Sequence, residues 1–182
     1  MAEIMPINKG FVLASRPQAG ARATLDNFAP FEKEIGEPGA GEVLVRHEYL
    51  SLDPYMRGRM DDVASYAASQ TLGEPMIGGT VGEVVASRNP RFAVGDKVLG
   101  MGGWQLYSLS DGARLRKAGA PGVPLQAFLG ALGMPGITAW IGLSTASSRP
   151  SRTKPCWFPP RPGRWARWTG NWPGRPAPAW SA

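Results

Sequence analysis

The sequence predicts a mainly β fold, a small barrel or sandwich followed by short helices at its C-terminal end. Two observations carry this. From "KGFVLASRP" to "WQLYSLS", short alternating or apolar runs recur every eight to twelve residues, punctuated by Gly- and Pro-rich turns. After these runs the period changes, and "PLQAFLGAL" and "GITAWIGL" space their apolar residues as helices do.

"KGFVLASRP" reads as a short strand stopped by Pro17. The turn "EPGAGE" feeds a second strand, "EVLVRHEYL". There Val43, Val45 and His47 share one face, and Leu44, Arg46 and Glu48 the other. "DPYMRGRMDD" cannot be a regular strand, because Pro54 restricts Asp53 and Gly58 adds a flexible point, so it reads as a structured loop or short turn. "GTVGEVVAS" is a strand in which Gly82 predicts a bulge or a close backbone approach. "NPRFAVGDKVLG" is a turn followed by another strand, and "WQLYSLS" alternates as a strand should. In the helical part Leu125, Phe128 and Leu129 share one stripe, and Pro135 marks a helix start.

At 182 residues the chain suits one domain, or one domain with an appendage. Its net charge of +6 suggests a nucleic-acid binder until the charge is located. Residues 1–143 hold 13 Lys and Arg against 14 Asp and Glu, whereas residues 144–182 hold 7 Lys and Arg and no acid. The body is neutral and the basicity belongs to the tail, which is weak evidence for phosphate contacts. One cysteine (Cys156) and one histidine (His47) allow no internal disulfide and no Cys/His zinc cluster. The N-terminus lacks the pattern of a signal peptide, and no run of about 18 apolar residues occurs, so a cytoplasmic protein without a membrane span is the expectation.

Four stretches in order, "GEVLVRHEYLSLDPYMRGRM", "GGTVGEVVASRNPRFAVGDKVLG", "GWQLYSLSDG" and "LGALGMPGITAWIGL", resemble the zinc-independent medium-chain dehydrogenases/reductases. The match is to the branch of prostaglandin reductases, 2-alkenal reductases and bacterial NADP-dependent oxidoreductases, and it covers nearly all of residues 7–143. The resemblance implies a GroES-like, partly open β-barrel as the N-terminal catalytic domain over residues 1–143. In the family a Rossmann domain that binds NADPH follows. It also implies hydride delivery to the β-carbon of an α,β-unsaturated carbonyl, with an enal or enone as small-molecule substrate. The loop "SLDPYMR" has no Cys, as in the zinc-free branch. A homodimer is usual for the intact enzymes.

By resemblance Pro54 and Tyr55 lie near the nicotinamide, Tyr55 lines the substrate site, and Met134 and Thr138 in "MPGITAW" border the nicotinamide as well. No residue of this domain is expected to act as a catalytic acid or base, and no metal is expected. From the residues alone, Tyr55 reads as a half-buried aromatic, Met134 as packing and Thr138 as a helical hydroxyl bonding its own preceding turn. Arg57 and Arg59 could contact a phosphate, or pair with Asp61 or Asp62. His47 reads as a surface residue without a role, and Gly78, Gly79, Gly82 and Gly95 as backbone geometry.

Beyond Leu143 the family continues into a strand and a glycine-rich turn that holds the cofactor pyrophosphate. Here "STASSRPSRTKPCWFPPRPGRWARWTGNWPG" follows instead. Its Trp, Pro, Arg, Ala, Ser and Gly are what GC-rich codons produce out of frame. Joining the last base of each codon to the first two of the next makes some residues obligatory. Cys156–Trp157 gives Leu, Trp157–Phe158 Val, Trp165–Ala166 Gly, Trp168–Thr169 Asp, Asn171–Trp172 Leu and Trp172–Pro173 Ala. The remaining positions permit "ETVLVSAATGPVGSVDGQLA", a strand, a glycine turn and a helix start. The tail of residues 144–182 is therefore expected to be out of frame and unstructured. The chain alone is then expected to bind no cofactor tightly and to be inactive. Two other readings are a tail that stacks and pairs with single-stranded nucleic acid, and a Pro-rich ligand ("FPPRPGR") for a protein partner.

Overall fold

The protein is described from a computed structural model, which covers residues 6–63 and 67–145. Nearly all of the Arg/Trp/Pro-rich tail, from residue 146 on, lies outside the described residues. The elements are β1 (Ile7–Leu13), β2 (Phe28–Glu34), β3 (Val43–Leu50), α1 (Tyr55–Arg59), β4 (Thr80–Ser87), β5 (Lys97–Gly100), β6 (Tyr107–Ser110), β7 (Arg116–Lys117) and α2 (Met134–Thr145). Short 3-10 turns occupy Leu25–Asn27 and Leu125–Leu129. The chain divides into two compact units, Met1–Ile137 and Thr138–Ala182. All the strands among the described residues belong to the first.

A five-stranded antiparallel sheet has the order β6-β3-β4-β5-β7, and β1 and β2 form a separate antiparallel pair. The two sheets do not close into one ladder. β1 is stitched to the loops of the larger sheet: Phe11 N–H donates to the Trp104 carbonyl at 2.9 Å, Met76 N–H to the Phe11 carbonyl at 3.0 Å, and Leu106 N–H to the Lys9 carbonyl at 2.9 Å. The result is the mainly β fold that the strand and turn spacing predicted, and the partly open barrel that the resemblance implied.

β2 is absent from the sequence reading. Pro30 sits in the middle of "FAPFEKE", opposite Phe11, and breaks the strand signal. A two-stranded sheet leaves an outer edge on which a residue without an N–H is tolerated. In β3 the expected alternation also fails, since Val43, Leu44 and Val45 are all buried. Val43 and Val45 enter the core of the sheet and Leu44 is covered as well, and the register against β4 shifts here, leaving Val85 of β4 unpaired. A second shift falls between His47 and Tyr49, beside Gly82. A Cβ on Gly82 would meet the Arg46 carbonyl oxygen and stand 2.8 Å from His47 Cα, so the predicted close approach is present.

The core has two parts. Val43, Val45, Val84, Phe92, Val98 and Leu115 fill the larger sheet. Leu13, Met56, Met60 and Met76 form a second cluster, with Ala23, Phe28, Tyr55, Ile77 and Trp104 packed against it. Burial of each such side chain contributes about 1.5–3 kcal/mol. The outer face carries Arg46, Glu83 and Lys97, aligned across β3, β4 and β5. Glu83 accepts from Arg46 at 2.9 Å and from Lys97 at 3.0 Å, and Lys97 reaches Glu48 at 2.7 Å. The Lys97 hydrogen bond holds the Glu83 carboxyl below its usual range, while the Glu48 hydrogen bond pushes the Lys97 ammonium up. These ions are solvated, so they set register more than stability.

The predicted helical part is a 3-10 turn followed by α2. Leu125, Phe128 and Leu129 are half-buried, as their stripe implied. A Cβ on Gly79 would stand 3.7 Å from Leu129 Cδ2 and 4.0 Å from Ser51 Cβ, which lays this turn against the entry to β4. α2 begins one residue before Pro135, and a proline fits the first turn of a helix because its missing N–H has no acceptor there.

Candidate functional site

"DPYMRGR", read as a structured loop or short turn, folds as the short helix α1. Pro54 takes helical angles (φ −56°, ψ −29°) as the residue before α1. The Met56 N–H donates to the Asp53 carbonyl at 3.1 Å and the Arg57 N–H to the Pro54 carbonyl at 3.2 Å. The fixed φ of proline presets the first turn, and the single turn is then held by what its side chains touch.

Met56 and Met60 lie on one stripe, each 4% exposed, in the cluster with Leu13 and Met76. Arg57 pairs with Asp61 at 2.7 Å, and its Nη2 and Nε also donate to the Ala21 carbonyl at 2.7 and 3.0 Å. That side chain clamps the loop before β2 onto α1. Tyr55 and Arg59, four residues apart, occupy the remaining half-buried flank. Of the two expected Arg–Asp pairings, Arg57–Asp61 forms. Arg59 makes none among the described residues, and Asp62 stands 4.0 Å from Arg16 instead.

Tyr55 packs against the methionine cluster, which also carries Trp104. Trp104 stacks on Phe28 with ring centroids 5.1 Å apart, and its Nε1 is buried without an acceptor among the described residues. A Cβ on Gly78 would stand 2.7 Å from Leu50 Cδ1, 3.1 Å from Met56 Cε and 3.1 Å from Trp104 Cδ1. Gly78 thus lets the end of β3, α1 and Trp104 converge at the methionine cluster. Sequence reasoning missed Trp104, whose only local signal is an aromatic directly after a Gly-Gly turn.

The other predicted residues are placed as follows. Pro54 is exposed beside Tyr55. Met134 is 65% exposed at the start of α2. Thr138 is exposed one turn further along the same helix, in the second unit. Met134 and Thr138 share a helix face by their spacing. Two open depressions lie elsewhere on the first unit. One, of 520 Å³, is lined by Asn8, Glu74, Met101, Gly102, Gln105 and Ser108 among others. The second, of 620 Å³, lies beside Arg57 and Asp61. Tyr55 lines neither of these two.

His47 is not the surface residue the sequence suggested. Its Nε2 lies 2.9 Å from Ser108 Oγ, and its Nδ1 is buried without a partner among the described residues. A Cβ on Gly102 would run into its ring. Burial pushes the imidazole down from 6.5 to about 4. The bulge beside His47 and the glycine opposite explain why a strand position read as solvent-facing is covered.

Among the described residues, no group of three or more His, Cys, Asp and Glu could hold a metal ion, and no helix is long and apolar enough to cross a membrane.

Residues 9–118 match the family described as the N-terminal domain of oxidoreductase. The chain is 50% identical over 136 residues to an NADPH-dependent curcumin reductase of Escherichia coli, covering 75% of this chain and 39% of that protein. It is 43% identical over 112 residues to an NADP-dependent 2-alkenal reductase of Nicotiana tabacum, covering 60% and 33%. The crystal structure of CurA from Vibrio vulnificus in complex with NADPH superposes with a TM-score of 0.68 at 50% identity, covering 74% of this chain and 40% of that one. The chain therefore spans about two fifths of the length of these relatives, or less.

Proposed function

Because the chain belongs to the zinc-independent medium-chain dehydrogenases/reductases and carries their N-terminal domain at residues 9–118, we propose that it is the substrate-side domain of an NADPH-dependent reductase of carbon–carbon double bonds in α,β-unsaturated carbonyls. The observation that carries this is the Pro54–Tyr55 turn, held over the methionine cluster in a chain 50% identical to a curcumin reductase over 136 residues.

Tyr55 lines the pocket for the enal or enone and orients its plane, resting on the methionine cluster. Pro54, Met134 and Thr138 border the nicotinamide. When bound, NADPH supplies the hydride that adds to the β-carbon. The residues of this domain hold the reactants close and keep water from them, which needs position more than acid–base groups.

The described residues do not fit the rest of the dinucleotide. Among them no strand runs through a glycine-rich turn into a helix, the arrangement that receives a pyrophosphate. We therefore take residues 1–143 as the catalytic domain, and residues 144–182 as a segment read out of frame from codons for the second domain. The obligatory Leu, Val, Gly, Asp, Leu and Ala of the alternative frame support this reading. The 182-residue chain is then inactive by itself. Sequencing the gene across codons 140–150 and onward tests it. A second domain in the other frame is the expected result, and an early stop there sinks the frame reading.

A further inference from the structure

Asn8 is a buried hub, 1% exposed, around which three other side chains are gathered. Its Nδ2 donates to Gln105 Oε1 at 2.9 Å, and its Oδ1 accepts from the Tyr107 N–H at 3.0 Å, which brings the start of β6 and with it Ser108 alongside. Gln105 Nε2 donates to the Gly102 carbonyl at 2.7 Å. Across the β1–β2 pair Asn8 stands opposite Lys33, so the two side chains leave the same face. Gln105, Ser108 and Lys33 all line the cavity of 520 Å³, and so do the exposed Met101 and Leu109. Pro54 and Tyr55 do not line it.

The polar groups of this cavity have bonds left to make. Ser108 Oγ meets His47 Nε2 at 2.9 Å, while His47 Nδ1 is buried without a partner among the described residues. Native interiors tolerate an orphaned acceptor more readily than an orphaned N–H, which assigns the ring hydrogen to Nε2 and its donation to Ser108. The Ser108 hydroxyl hydrogen is then still to be given, and no acceptor takes it among the described residues. Gln105 Nε2 has a second hydrogen beyond the one given to Gly102. Lys33 is exposed and forms no ion pair among the described residues. Ser108 and Gln105 are half-buried, so a molecule in the cavity can reach all three side chains.

We propose that this cavity is a binding site for a small monocarboxylate with an apolar body. Lys33 supplies the charge, and Ser108 and Gln105 donate to the carboxylate oxygens. Met101 and Leu109 meet the apolar body, and water leaves both surfaces. Glu34 and Glu74 also line the cavity and disfavour a second negative charge on the ligand. The site shares no residue with the Tyr55 reading and stands or falls separately from it.

The test titrates the 182-residue chain by calorimetry with 4-phenylbutyrate, its neutral amide 4-phenylbutanamide, and the dicarboxylate phenylsuccinate. The methyl signals of Met101 and Leu109 are followed by NMR. The acid should bind, shift both methyl signals, and bind tighter than the amide by roughly fivefold or more. Lys33→Gln should remove that difference, and Ser108→Ala should weaken the acid and the amide alike. Phenylsuccinate should bind more weakly than the monoacid. The proposal is wrong if the acid binds no tighter than the amide, if Met101 and Leu109 stay unmoved, or if Lys33→Gln keeps the preference for the acid. A dicarboxylate that binds as well as the monoacid also overturns it. Lys33 is exposed on a strand, so its variant decides the matter even where Ser108→Ala fails to fold. An acid that shifts only the Tyr55 ring signals counts against this cavity and leaves the Tyr55 reading intact.

Discussion

His47 Nε2 and Ser108 Oγ meet at 2.9 Å across β3 and β6, and this is the only polar partner the His47 ring has among the described residues. The imidazole is held neutral by burial, with its pKa pushed down to about 4. In the unfolded chain it titrates near 6.5. As pH falls below 6.5 the unfolded state binds a proton that the folded state refuses until about 4. Stability is therefore full above that window and falls through it, by on the order of 2–3 kcal/mol. Urea unfolding of wild type and His47→Asn at neutral pH and near pH 4 checks this. The wild type should lose stability relative to the variant on acidification, and a constant difference would speak against a neutral buried ring.

Gly102 leaves no room for a side chain beside the same ring, and its N–H donates to Thr80 Oγ1 at 3.0 Å. Gly102→Ala should destabilise by about 1–3 kcal/mol. The penalty should shrink, though not vanish, in a His47→Ala background, because the tightest contacts are with that ring while Thr80 Oγ1 stays 2.7 Å from the added Cβ. A double-mutant cycle by denaturant unfolding measures the coupling, and additive effects would mean the clash lies elsewhere.

Arg57 should matter more through its fork than its charge. It joins Asp61 and the Ala21 carbonyl in one arrangement. Arg57→Lys keeps the charge but cannot make these bonds together, so it should cost about as much as Arg57→Ala, roughly 1–2 kcal/mol. Hydrogen exchange should rise at residues 20–23 in both. A lysine variant as protected as wild type would contradict the clamp.

Much of this fold was legible in the sequence, for identifiable reasons. Strands β1, β3, β4 and β5 follow alternating or apolar runs bounded by glycine and proline. Gly82 announced a close approach and sits against the Arg46 carbonyl. β2 was hidden because Pro30 forbids a central strand and says nothing of an edge one. α1 was hidden because Asp-Pro and an internal Gly are loop signals, while Met56 and Met60 form the turn by burying together, a tertiary effect. The burial of His47 depends on a bulge and on a glycine 55 positions away, and no local pattern records either. At the site, the family motif led to Pro54 and Tyr55. Trp104 and the unpaired Arg59 emerge only once the loops are brought together.

Tyr55 should affect ligand binding with little effect on the fold of the methionine cluster if its role is toward substrate. Tyr55→Ala should weaken binding of a neutral enone to the 182-residue chain severalfold or more. Thermal unfolding reports the packing lost separately, on the order of 1–3 kcal/mol for a half-buried ring. Unchanged enone binding in a folded variant would remove Tyr55 from the site.

The central claim is tested most directly by following NADPH consumption with a 2-alkenal in two purified chains, the 182-residue protein and a version extended through the second domain in the alternative frame. The account predicts no turnover above background for the first and clear turnover for the second, diminished by Tyr55→Ala. Robust turnover by the 182-residue chain, or an extended chain that folds and binds NADPH yet reduces no alkenal, would contradict it.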